Sequence, residues 1–282
     1  MRIRPNYAEG GFYSNKKEEV MSLLADRLES EKSTIDLSLA KKKIIGGIVP
    51  HAGHIFCAVE AVHFFEIVRQ SRQSFDVIIL VNPNHHGEGR PLAIDAHDYW
   101  QTSLGKVRID KELAEASNIP RDVLTHAREH SGEVILPYIQ YFLGNDIPIL
   151  PVGFGAQSGH NAEVVAEILA DACRQLNRRP LYIASSDFNH FASANMGRHL
   201  DDYALEALLK KDLPLFEERI HERDISICGF GAIMSLFDFA RLQYDDYQVS
   251  LLRLGHSGEV APSAQVVNYV SLLLYTDSAN LK

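Results

Sequence analysis

The sequence predicts a single α/β domain, residues 1–282, in which helices cover both faces of a mostly parallel central sheet. Short, almost continuously apolar runs alternate with segments of helical periodicity, as in sheets that are buried on both faces. Three of these runs end in polar loops that carry histidine. No Pro-rich or Ser-rich linker divides the chain, and its 46% hydrophobic residues are enough to build one large core.

The first predicted elements are a glycine-rich turn, AEGGFY at residues 8–13, and an amphipathic helix at residues 16–28. Apolar side chains recur on one face of that helix: Val20, Leu23, Leu24 and Leu28. Further helices are predicted around residues 57–69, at residues 135–143 and after Cys228. Each of these three helices follows a polar loop.

The predicted strands are apolar runs bounded by polar loops. They are residues 43–49, 75–81, 147–152, 180–184 and 266–275. The loops after the first, second and fourth read PHAGH, NPNHHG and SSDFNH. Because ligands gather at the carboxyl ends of parallel strands, these histidines are expected to meet at one edge of the sheet.

Charge and composition exclude several classes of protein. The net charge of −9 argues against a nucleic-acid partner, which needs a face of clustered Lys and Arg. The basic runs at residues 41–43 and 210–211 are short and are interpreted as solvated surface. Three cysteines without a CxxC pair favour a reducing cytoplasm over a disulfide framework. No apolar run is long enough to cross a membrane, and residues 1–6 lack the apolar core of a signal peptide.

Histidines at the strand ends are candidate ligands for a divalent metal, since neutral imidazole is a common ligand and thiolate a strong companion. The candidates are His51, His85, His86, His190 and Cys228. A lone histidine in a loop is more often structural, but three such loops at one edge favour a shared site. Side chains of adjacent residues diverge in extended backbone, so only one of His85 and His86 is expected to ligate.

Cys228 and Asp187 each allow two interpretations. A thiol ahead of a helix is shifted toward thiolate by the helix N-terminus, whereas a buried, inert cysteine, the reading that suits Cys57 and Cys173, explains Cys228 equally well. Asp187 can orient His190 and raise its basicity, which makes the two an acid/base pair. Ser185 suggests a serine hydrolase only weakly, because the chain has no GxSxG motif.

Six motifs in order give the chain a resemblance to a known family nearly end to end. They are GGFY at residues 10–13, VPHAG at 49–53, NPNHH at 82–86, EHSGE at 129–133, SSDFNH at 185–190 and ICG at 227–229. The chain resembles the Memo family, whose prokaryotic members are named component B of the AmmeMemoRadiSam system. That family in turn looks like a relative of the class III extradiol dioxygenases, and the resemblance implies the fold of their catalytic subunit.

The resemblance also implies a set of site residues. The metal ligands would be His51, His85 and Cys228, and Asp187 and His190, the catalytic candidates, would line the pocket. The loops themselves, rather than the resemblance, add His54, His86, His130 and Glu133 as candidates for the substrate pocket. The implied cofactor is a divalent metal, Fe(II) first and Cu or Zn otherwise. The implied partners are a small-molecule or peptide ligand together with radical-SAM and AMMECR-type proteins.

Three functions fit these residues. The first is a non-haem iron or copper redox enzyme or oxygenase, although Cys228 stands where the facial triad of iron oxygenases has a carboxylate. The second is a non-catalytic adaptor that grips a peptide in the same pocket. The third is a zinc-dependent hydrolase in which metal-bound water attacks an amide or ester.

Overall fold

The computed structural model describes residues 1–277, and these residues form a mixed sheet flanked by helices. The strands are β1 Ile3–Arg4, β2 Lys43–Val49, β3 Val77–Pro83, β4 Leu92–Asp95, β5 Tyr99–Thr102, β6 Gly105–Arg108, β7 Arg121–Asp122, β8 Ile149–Phe154, β9 Pro180–Ser185, β10 His190–Ala192, β11 Gln248–His256 and β12 Val266–Thr276. The α-helices are α1 Lys17–Glu31, α2 His54–Ser71, α3 Lys111–Ala116, α4 Leu124–Ala127, α5 Leu136–Leu143, α6 Gly159–Gln175, α7 Ala194–Leu209, α8 Leu213–Arg223 and α9 Phe230–Gln243. Short 3₁₀ turns cover Leu37–Lys41, Glu133–Ile135 and Ser257–Glu259.

The main sheet has the strand order β10-β12-β2-β9-β3-β8-β4-β7, with β11 paired to β12. Its centre, β2, β9, β3 and β8, is parallel, as the sequence predicts. Antiparallel strands extend it on both sides, because β12 pairs antiparallel with β2 and β4 pairs antiparallel with β8. Strands β1, β5 and β6 form a separate three-stranded sheet.

Helices cover both faces of the sheet, which confirms the predicted fold class. Side chains alternate between the two faces along a strand, so Ile78 and Leu80 pack into one cluster of buried residues while Val77 and Ile79 pack into the other. The first cluster includes residues of α1, α2 and α5, and the second includes residues of α6, α7 and α9. The central strands are therefore apolar on both faces, which explains their continuous hydrophobic runs.

The predicted elements agree with the observed ones to within about three residues at most ends. At one helix start and one strand end, residues that were predicted to lie in a loop belong to the element itself. Helix α2 begins at His54 rather than residue 57, and β3 continues through Pro83, which pairs with Phe154 of β8. None of the helices within residues 1–277 combines the length and the apolar character needed to cross a membrane.

Candidate metal centre

The carboxyl ends of β2 and β3 and the start of α9 bring three side chains together. His51 follows β2, His85 follows β3, and Cys228 lies just before α9. One ligand atom from each lies within 4.8 Å of the other two. The Sγ atom of Cys228 is 3.3 Å from Nε2 of His51, and the His51 and His85 ring centroids are 5.3 Å apart. The three residues that the resemblance implies as ligands thus form one group.

Hydrogen bonds fix which nitrogen of His51 faces Cys228. The Ser185 hydroxyl has a single proton, and it donates that proton to the carbonyl oxygen of Ser131 at 2.8 Å. Nδ1 of His51 therefore donates the 2.8 Å hydrogen bond to Ser185 Oγ. The Nε2 lone pair of His51 is left facing Cys228. Burial, with His85 and His130 nearby, lowers the pKa of His51 well below its ordinary value, which keeps the ring neutral.

Glu129 orients His85 in the same way. Its carboxylate accepts from the backbone N–H of His85 at 2.6 Å and from Nδ1 at 2.9 Å. Burial alone would raise the pKa of Glu129, but hydrogen bonds from His85 and Ser131 outweigh it and hold that pKa well below its usual range. The carboxylate is therefore ionised, and Nδ1 of His85 carries the proton that it accepts.

His130 adds a second group of donors beside the first. One ligand atom each from His85, Glu129 and His130 also lies within 4.8 Å of the others. The His130 ring stacks on His85 at 4.8 Å and on Phe12, of the glycine-rich turn, at 4.3 Å. Burial lowers the pKa of His130 to about 4, so this ring is neutral near pH 7. The predicted pocket residue His130 therefore lines the site.

Of the two interpretations of Cys228, its surroundings favour the buried thiol over one that a helix activates. Burial, followed by the Asp187 carboxylate, raises the pKa of Cys228 above its ordinary value. The start of α9 does not offset these two effects. Asp187 also donates its backbone N–H to Sγ at 3.3 Å. In the absence of a cation, Cys228 is consequently a neutral thiol whose sulfur lies against an imidazole lone pair.

The donor set fits a divalent transition metal. Two imidazoles and one cysteine sulfur are ligands that Fe, Cu and Zn accept. Each imidazole is held through Nδ1 by an oxygen, as in most histidine–metal sites. A bound dication would deprotonate the Cys228 thiol, because a coordinating cation outweighs the effects that raise its pKa.

Asp187 and His190 have different surroundings. The buried Asp187 carboxylate accepts the backbone N–H of His51 at 2.8 Å, and its burial raises its pKa to about 6. These contacts support a role in positioning the PHAG loop.

His190 is partly exposed and contacts the carbonyl oxygen of Ser226 through Nδ1 at 2.8 Å. A carbonyl only accepts, so Nδ1 of His190 donates this hydrogen bond.

Two of the predicted pocket residues, His54 and Glu133, are buried in the protein, and a third, His86, lies at the surface. His54 is 2% exposed, because it begins α2 and packs between Tyr13 and Tyr138 with Nε2 on the Val134 carbonyl. It is a core histidine, whose pKa burial lowers to about 4. Glu133 is also fully buried and does not line the pocket. His86 is exposed beside Tyr7.

Glu133 instead belongs to a buried ion pair that sequence reasoning missed. Its carboxylate accepts from the Arg4 guanidinium and from the backbone N–H groups of Tyr7 and Ala8. Arg4 is 1% exposed and also donates to the Glu129 carbonyl at 2.7 Å. The pair therefore ties the start of the chain to the loop that carries Glu129. A single arginine near the N-terminus gives no sequence signal of this role.

The chain matches a known protein family along nearly its whole length. The family model described as Memo-like protein matches residues 4–273. A MEMO1 family protein of Methanosarcina barkeri is 33% identical over 258 residues, which cover 89% of this chain and 95% of that protein. Another from Pyrobaculum aerophilum is 32% identical over 283 residues, covering 98% of this chain and all of that protein.

A solved structure supports the fold. An uncharacterised protein of Escherichia coli K12 superposes with a TM-score of 0.50, covering 77% of this chain and 92% of that one, at 12% sequence identity. At that identity the likeness concerns the fold alone. The family rests instead on the match over residues 4–273 and on relatives at about one third identity along nearly the whole chain. The chain belongs to the Memo-like family.

Proposed function

We propose that this chain holds a redox-capable divalent metal, Fe(II) in the first place, through His51, His85 and Cys228, and acts as a metal-dependent oxidoreductase on a small molecule. One observation carries the proposal. One ligand nitrogen each of His51 and His85 and the Cys228 sulfur lie within 4.8 Å of one another, and each imidazole is held through Nδ1 by its own oxygen partner. Such preorganisation is costly to build and is typical of metal sites.

The residues around the centre supply the remaining chemistry. Fe(II) held by these three residues would supply redox chemistry with dioxygen. His190 is the base of the proposal, because its Nε2 carries a lone pair while Nδ1 donates to Ser226. Phe12 and the stacked ring of His130 offer flat apolar surface on one side of the site. Asp187 holds the backbone of His51 in place.

Metal content of the anaerobically purified full chain tests the proposal, together with oxygen uptake. We expect close to one iron per chain and uptake of dioxygen when a hydroxylated aromatic probe such as catechol is added. Copper with oxygen uptake would keep the redox function and change the metal. Tightly held zinc with ester hydrolysis would replace the proposal by a hydrolase, and a chain without metal would leave only the peptide-binding adaptor.

The Glu129→Gln variant is expected to bind metal about 10–100-fold more weakly than the unmodified chain. The change keeps the shape of the side chain but removes the charge that fixes Nδ1–H on His85. Competition with a chelating dye measures the dissociation constant. The control is Glu88→Gln, which removes the same charge from a carboxylate that pairs with Arg128 instead. Equal affinities of the two variants would contradict the role given to Glu129.

A further inference from the structure

A cavity of about 840 Å³ opens at the edge of the sheet opposite the metal centre. It lies where the central strands begin, between the turn before β2, the end of α2, the start of β9 and the end of α9. Six cationic side chains line it, and together they define the basic cavity: Lys41, Lys42, Lys43, Arg72, Arg178 and Arg179. No aspartate or glutamate is among its lining residues within the described chain.

The parallel topology creates this concentration of charge. The run at residues 41–43 leads into β2, and Arg178 and Arg179 lead into β9. Because β2 and β9 are parallel neighbours, their first residues lie side by side although they are far apart in sequence. Arg72 caps α2 in the left-handed conformation, with φ of 54°. The basic run that was interpreted as solvated surface is therefore one wall of a cavity.

Two of the six cations, Lys41 and Arg72, keep a positive charge that no carboxylate of the described chain pairs with. Carboxylates outside the lining pair with three of the cations: Asp277 with Lys42 at 2.6 Å, Asp76 with Arg179 at 2.9 Å, and Glu112 and Asp110 with Arg178. Within residues 1–277, neither Lys41 nor Arg72 has a carboxylate within 4 Å. Six cationic side chains line the basic cavity although the net charge of the chain is −9.

The remaining lining combines an apolar floor with neutral hydrogen-bonding groups. Phe239 and Tyr244 supply the floor, and the Lys43 ammonium lies 5.1 Å from the Tyr244 ring centroid. Side chains of serine and glutamine complete the wall. The volume falls in the range of about 300–1,000 Å³ that is usual for small-molecule sites. It is too small and too concave for a nucleic-acid strand, which the net negative charge also repels.

We infer that the basic cavity binds a small molecule that carries two or more phosphate groups. Several cations spread around one cavity match a ligand with several anionic groups, whereas a lone carboxylate needs only one arginine. The central strand β2 is seven residues long, so the cavity and the metal centre are separated by about 20 Å. The ligand of the basic cavity therefore makes no contact with the metal.

Isothermal titration calorimetry of the full chain with tripolyphosphate and with ATP tests the inference. We expect both to bind with dissociation constants below about 100 µM at low salt, and adenosine, which has no phosphate, not to bind. If ATP binds and tripolyphosphate does not, the apolar floor also recognises the adenine ring, and this result still supports the inference. Absence of binding by both phosphorylated probes would overturn it.

Variants separate this cavity from general attraction to charge. The Lys41→Glu, Arg72→Glu double variant is expected to weaken binding at least about tenfold. The matched control, Lys17→Glu with Lys106→Glu, changes the net charge equally at two exposed positions outside the cavity and should bind as the unmodified chain does. Equal loss in both would show non-specific attraction and overturn the inference. Lys41→Gln with Arg72→Gln repeats the test should charge reversal prevent folding.

Polyphosphates also chelate metals, so one further variant keeps the two sites apart. His51→Ala removes a proposed metal ligand and leaves the basic cavity intact. Unchanged binding of tripolyphosphate to this variant is expected. A loss of binding would assign the signal to the metal centre and contradict the inference, whatever the outcome for the proposed function.

Discussion

Replacing His51 by alanine is expected to lower the metal content from about one ion per chain to less than about one tenth. His51 supplies the lone pair 3.3 Å from the Cys228 sulfur, and its ring is buried and held by Ser185. Alanine offers no ligand atom, and two remaining donors hold borderline metals weakly. Elemental analysis of protein purified without oxygen measures the effect.

Two further variants sharpen this prediction. Cys228→Ser keeps the size of the side chain but replaces a soft sulfur by an oxygen that is hard to deprotonate, so most of the metal should be lost. His199→Ala removes an exposed histidine on α7 and should leave the metal content unchanged. If His51→Ala and Cys228→Ser retained the metal of the unmodified chain, the ligand assignment would be wrong.

The Arg4→Ala variant is expected to lose about 3–5 kcal/mol of unfolding free energy, because it leaves a buried carboxylate without its cation. Glu133 is fully buried, and Arg4 is the charged partner that contacts it. The guanidinium also lies 4.5 Å from the Trp100 ring centroid, so alanine leaves a cavity as well. Urea denaturation followed by circular dichroism measures the change.

Arg2→Ala is the matched control for Arg4. Arg2 lies two residues away and donates to the Ala96 carbonyl in an exposed position, so its loss should cost less than about 1 kcal/mol. Arg4→Ala should also weaken metal binding, since Arg4 holds the backbone of Glu129. A cost similar to that of Arg2→Ala would show that Glu133 finds other partners.

The sequence predicts the central strands, and the meeting of His51 and His85 at one edge of the sheet, because both depend on local patterns. The runs that became β2 and β9 are apolar on both faces, and buried parallel strands require this. His51 and His85 follow such strands directly, so their meeting at one edge follows from the topology. Cys228 reaches the same place from a helix start, and the family resemblance rather than periodicity distinguished it from Cys57.

The errors come from contacts that no local pattern encodes. His54 was expected to line the pocket, but whether the first residue of a helix faces solvent or core depends on what packs against it, here Tyr13 and Tyr138. Glu133 was also expected to line the pocket, but the first residues of the chain pack over it and Tyr7 donates its backbone N–H to the carboxylate. The sequence does not predict the basic cavity for the same reason, because Lys41 and Arg179 come together only through the pairing of β2 with β9.

The place of β12 in the sheet has a consequence for how the protein is made. This strand, the last of the described chain, pairs with β2, which is synthesised more than 200 residues earlier. At 5–20 residues per second, a ribosome needs roughly 10–40 s to produce the intervening chain. For that time the nascent polypeptide carries an unpaired apolar strand edge, a template for aggregation. Aggregation through the β2 edge is therefore expected to compete with folding until β12 emerges.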